Sequence, residues 1–78
     1  MSRQEEIILK LNAYGVQQEL INHILNCKNW EMEEKENFVA CCSEKINFLS
    51  SQPVTEEINK LINITELQYE LYLIILTS

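Results

Sequence analysis

The chain is punctuated only twice. Its 78 residues include one glycine, Gly15, and one proline, Pro53, with no aspartate; all twelve acids are glutamate. Sharp reversals draw on Gly, Pro, Asp and Asn, whereas Glu, Leu, Lys and Gln are good helix formers. A chain so poor in turn residues reads as helices joined by short connections. The expected fold is all-α, a compact bundle of four to five short helices in a single domain spanning residues 1–78.

Local signals place the helices. Ser2 and Glu5 have the spacing of a capping box, and Ile7, Ile8, Leu11 and Tyr14 follow at helical intervals. A first helix is predicted over about 3–13, stopped by Gly15, which takes the left-handed conformation cheaply. Val16, Leu20, Ile21, Ile24 and Leu25 mark a second helix over about 17–28. Asn29 is a candidate cap for a third, over about 30–50, with Glu31, Glu33 and Glu34 where the helix dipole favours negative charge. Pro53 ends it. Beyond Pro53, Thr55 can cap another helix. Asn63, Ile64 and Thr65 form a weak point, and Thr65 and Gln68 again have capping-box spacing, so two helices are predicted, about 55–63 and 65–76, or one bent helix. The predicted core is Ile8, Leu11, Leu20, Ile24, Phe38, Cys42, Ile46, Leu49, Ile58, Leu61, Tyr72 and Ile75, and Trp30 reads as a core plug rather than a binding anchor.

The last ten residues, YELYLIILTS, are the most apolar stretch. A membrane span needs about 20 apolar residues. The run Leu71–Leu76 has six, and Glu66 and Glu70 precede it. A strand pattern is present at Leu67, Tyr69, Leu71, Leu73 and Ile75, but no second strand offers itself within the chain. A helix that is apolar nearly all round is buried on more than one side. Either it is the central helix of the bundle, or it completes an interface through Tyr69, Tyr72, Leu73 and Leu76.

A net charge of −6 opposes binding to nucleic-acid phosphates or an anionic membrane surface. It permits a basic protein surface as partner. The run EMEEKE, with Glu31, Glu33, Glu34 and Glu36, is either a solvated helix start or a patch for such a partner.

Catalytic and metal signals are thin. His23 and Cys27 are four apart, and Cys41 and Cys42 could join them at zinc. Adjacent helical cysteines point about 100° apart, and no CxxC is present to anchor a metal. No cofactor or metal site is therefore expected. Glu19 and His23 could form a surface pair, but no nucleophile motif or phosphate loop accompanies them, so the chain reads as a non-enzyme. Three free thiols and an acidic opening, MSRQEEIILK, fit a cytoplasmic protein.

The stretch LNAYGVQQELINHIL, residues 11–25, resembles the helix–Gly–helix opening of ubiquitin-associated-type three-helix domains. It is also similar to a helix pair in bacterial replication-initiation proteins of the DnaD type. The likeness covers about a fifth of the chain. Its pattern, L-x-x-x-G-V-x-x-x-L-I, is general helix-turn-helix grammar. It implies two packed helices, and no function is carried over from it.

Together these features describe a small acidic, non-catalytic, protein-binding protein of the inhibitor, adaptor or immunity type, such as phages and other mobile elements encode. It would act by occluding or bridging a protein partner, as a homodimer. A structural self-assembly subunit is the alternative, with a zinc-dependent regulator behind it.

Overall fold

The structure, a computed structural model, describes residues 1–78 as four α-helices and one 3-10 turn, with no strand. They are α1 (Arg3–Ala13), α2 (Gln18–Leu25), the 3-10 turn Cys27–Asn29, α3 (Met32–Ser50) and α4 (Glu56–Thr77). The all-α bundle expected from the sequence is the fold observed.

Each boundary has a local cause. The Ser2 hydroxyl accepts the Glu5 backbone N–H at 3.2 Å and caps α1. At the other end Gly15 sits at φ 92°. Its N–H bonds to Asn12 O and that of Val16 to Leu11 O, each at 3.0 Å, which is the Schellman arrangement. Nothing lies within 4 Å of where a Cβ on Gly15 would fall, so glycine is required there for its backbone and not for space. The Thr55 hydroxyl accepts the Ile58 N–H at 3.1 Å and starts α4.

Three boundaries differ from expectation. The second helix ends at Leu25, and Cys27–Asn29 tightens into the 3-10 turn. Asn29 therefore lies inside that turn, where its amide donates to Asn26 Oδ1 at 2.7 Å. Glu31, in extended conformation, takes the N-cap position of α3 without a side-chain cap bond. The two-helix reading with a break at 63–65 fails and its alternative of one continuous helix holds, α4 being one helix of 22 residues. Thr65, read as a second cap, instead donates its hydroxyl to Leu61 O at 2.9 Å. That bond to the preceding turn satisfies the hydroxyl inside a helix, and Thr65 is buried there.

At about 1.5 Å per residue α4 is roughly 33 Å long. It nearly spans the 37 Å length of the molecule, and α1, α2, the 3-10 turn and α3 all dock on it. The apolar tail is thus the central helix. Its Leu71 and Tyr72 join Ile7, Leu11, Ile21, Ile24, Cys27 and Trp30 in one buried cluster. Two predicted core positions are exposed: Leu20, because Ile21 beside it faces inward, and Leu61, because it lies beyond the cluster's edge. Trp30 is buried, as read.

The hairpin of α3 and α4 is covered unequally. Of α3 only Phe38 and Val39 pack against the main cluster, and of α4 only residues from Ile64 onward do. The rest, on either side of the turn at 51–55, lies outside that cluster, with Tyr14 at the end of α1 facing the α4 side from Thr55 to Asn63.

Candidate protein-binding groove

Because α3 and α4 are antiparallel, the start of one lies beside the end of the other. EMEEKE and YELYLIILTS, more than thirty positions apart in sequence, are thereby brought to one end of the hairpin. Between them runs an open groove of about 560 Å³, lined by Met32, Lys35, Glu36, Val39, Ala40, Tyr72 and Leu76. Its floor is apolar. Met32 is 67% exposed on its wall, and Leu73, next to Tyr72 on α4, is 41% exposed.

The floor is held from beneath by a row of aromatic rings. His23 stacks on Trp30 with centroids 4.6 Å apart, Trp30 meets Phe38 edge-on at 5.3 Å, and Phe38 lies 4.8 Å from Tyr72. Tyr69 follows at 6.2 Å. Such contacts fix ring orientation beyond simple burial. Tyr72 is only 3% exposed, so it offers a partner one edge and serves chiefly as floor. Burial also pushes its phenol pKa up. Tyr69 and Leu76 are half-buried.

The four acids separate. Glu36 lines the groove. Glu31 and Glu33 are exposed at the same end of α3. Glu34 faces the other side, where its carboxylate lies 2.8 Å from His23 Nε2 and ties α3 to α2. His23 thus pairs with Glu34 and not with Glu19. That pairing and the aromatic row were not readable from helical spacing, since both join residues of different elements.

Other concave surfaces are polar. The groove between α1 and α4 is lined by Arg3, Lys10, Glu66 and Glu70 beside Tyr14, and most of its charges are already paired. The cysteines do not converge: Cys27 is buried and donates to Tyr72 O at 3.7 Å, Cys42 is buried, and Cys41 is exposed. No three His, Cys or Glu side chains come together as a metal-binding group. No helix is long and apolar enough to cross a membrane.

Comparison with known proteins gives no match: no family model fits the chain, and no curated protein or solved structure shows significant similarity to it. What the fold and the groove define is a class, a small all-α bundle with an open apolar groove at one end of its central hairpin.

Proposed function

We propose that this protein is a non-catalytic binder of another protein, of the inhibitor, adaptor or immunity type found on phages and mobile elements, and that it works in the cytoplasm as a homodimer. The observation that carries the reading is the groove itself. An apolar floor with Glu36 at its edge and Glu31 and Glu33 exposed at the same end of α3, against the single base Lys35, suits an amphipathic helix whose apolar residues are flanked by Lys or Arg. Met32, Val39 and Leu76 line the groove with Glu36 and Lys35 at its edge, and Leu73, Glu31 and Glu33 are exposed close by on the same two helices. The bound helix would occlude a surface of the partner or bridge it to something else.

The test compares proteins captured in host cells by the tagged wild type, by the Met32→Asp, Leu73→Asp double variant, and by Leu9→Asp. Leu9 is exposed on α1, away from the groove. A partner held by wild type and Leu9→Asp but lost from the groove variant is the expected result. Identical sets from all three would sink the reading. Reversing Glu33 and Glu36 to Lys should weaken capture most at low salt, where charge is least screened. Capture that survives reversal at low salt would remove the basic-partner part alone.

A further inference from the structure

The half of the hairpin that carries the turn is apolar without belonging to the main core. Between residues 43 and 63 it carries Ile46, Phe48, Leu49, Val54, Ile58, Leu61 and Ile62, and none of them joins the central cluster or packs against it. Only Leu49 among them is buried. Phe48 is 64% exposed, Val54 84% and Leu61 37%. An exposed apolar patch at one end of a small protein is the usual mark of an interface, and here α3 and α4 cover each other with only Tyr14, at the end of α1, beside the α4 side of the tip, so most of the layer that normally stabilises such a pair is lacking.

We propose that this tip is the self-association surface, and that two copies pack tip against tip about a two-fold axis. Each hairpin then supplies the helices that the other lacks, and a four-helix arrangement forms at the centre of the dimer. The inference rests on the reading of the protein as a dimeric binder and gives that dimer its surface.

Charge selects a second copy as the occupant. Residues 43–63 carry Glu44, Glu56 and Glu57 against Lys45 and Lys60, only one net negative charge of the chain's six. Two acidic molecules can meet there with little repulsion, whereas the groove end, rich in Glu, repels its own kind. Acids and bases are interspersed on the tip, which suits an isologous contact in which each copy offers the same surface.

The area fits as well. An exposed aromatic or large aliphatic side chain offers about 150–250 Å² when fully accessible, so the exposed fractions of Phe48, Val54 and Leu61 sum to roughly 300 Å² per copy. With the half-buried isoleucines and a polar rim, a tip contact reaches about 1,000 Å² in total, near the lower bound for a specific interface. The dimer is therefore weak and reversible. It leaves both grooves open at opposite ends, so one dimer presents two binding sites and gains avidity toward a repeated or paired target.

Sedimentation equilibrium of the full chain from roughly 1 µM to 500 µM tests this. The expected result is a monomer–dimer equilibrium for the wild type. Phe48→Asp and Val54→Asp, at positions too exposed to disturb folding, should each weaken it by about 30-fold or more, with helicity by circular dichroism unchanged. Met32→Asp, in the groove, should dimerise as the wild type does. A wild type that stays monomeric at the highest concentration overturns the proposal, as does a dimer indifferent to Phe48→Asp and Val54→Asp. A dimer abolished by Met32→Asp would move self-association to the groove and also overturn it. Failure of partner capture by the groove leaves these sedimentation results unchanged, so the two readings fail separately.

Discussion

Arg3 and Glu70, 67 positions apart, meet in a two-point ion pair: Nε lies 2.5 Å from Oε2 and the second guanidinium contact is 2.9 Å. The pair joins the first turn of α1 to α4, across helices whose antiparallel packing rests on Ile7, Leu11 and Leu71 beneath it. Arg3 also reaches Glu6, and Lys10 reaches Glu6 from the next turn. The Glu70 carboxyl is held below its ordinary pKa by Arg3, and that of Glu6 by Lys10 first and then by Arg3.

A carboxyl with a depressed folded pKa stabilises the fold above its unfolded pKa, and that stability is lost as pH falls through the folded value. Glu70→Gln should therefore lower the thermal midpoint at neutral pH, and the difference from wild type should close as pH falls through the depressed Glu70 pKa. The side chains are roughly half exposed, so the effect is small and should shrink further in high salt. Melting curves over a pH series check both points. A gap that persists in acid would show that Glu70 acts through packing and not charge.

Gly15 gives a prediction of different origin. A side chain at φ 92° is strained although space is open around it. Gly15→Ala should cost about 1 kcal/mol in urea unfolding, with an unchanged m-value. No loss of stability would mean that the α1–α2 turn has another conformation available.

Leu71 and Leu73 lie two positions apart on the same helix and should respond very differently. Leu71 is fully buried, so Leu71→Ala should lose about 2–5 kcal/mol. Leu73 points outward, and Leu73→Ala should stay within about 0.5 kcal/mol. Equal losses at the two sites would contradict the placement of α4 at the centre.

The thiols can be counted by reaction. Burial raises the pKa of both Cys27 and Cys42, whereas Cys41 is exposed on α3. A thiol reagent applied to the native protein should modify Cys41 quickly and reach the other two only at the rate of unfolding. Rapid reaction of Cys42 would show that the hairpin opens readily, and rapid reaction of Cys27 that the central cluster does.

Much of the helical frame was legible because caps are local. Ser2, Gly15 and Thr55 announce their boundaries through bonds to residues three or so positions away. Thr65 misled because a hydroxyl can cap a new helix or bond back into an existing one, and only packing on both sides decides between them. Periodicity found the apolar stripes but not their centres: Ile7 is fully buried while Ile8 is partly so, and Ile21 is buried while Leu20 is exposed. The acids and the apolar tail were each visible as candidate contact residues. Their meeting in one groove was not, since it depends on the direction in which α4 returns along α3. Nor did spacing reveal that Glu34 leaves the other acids to pair with His23.

The central position of α4 has a consequence for how the molecule is made. Helices α1 and α2 reach little more than each other until Leu71 and Tyr72 are present to complete the cluster. Those residues leave the ribosome after everything they hold together. The central cluster therefore cannot close until Leu71 and Tyr72 have been made. A chain cut short before Leu71 should be far more open to proteases than one that carries the whole of α4.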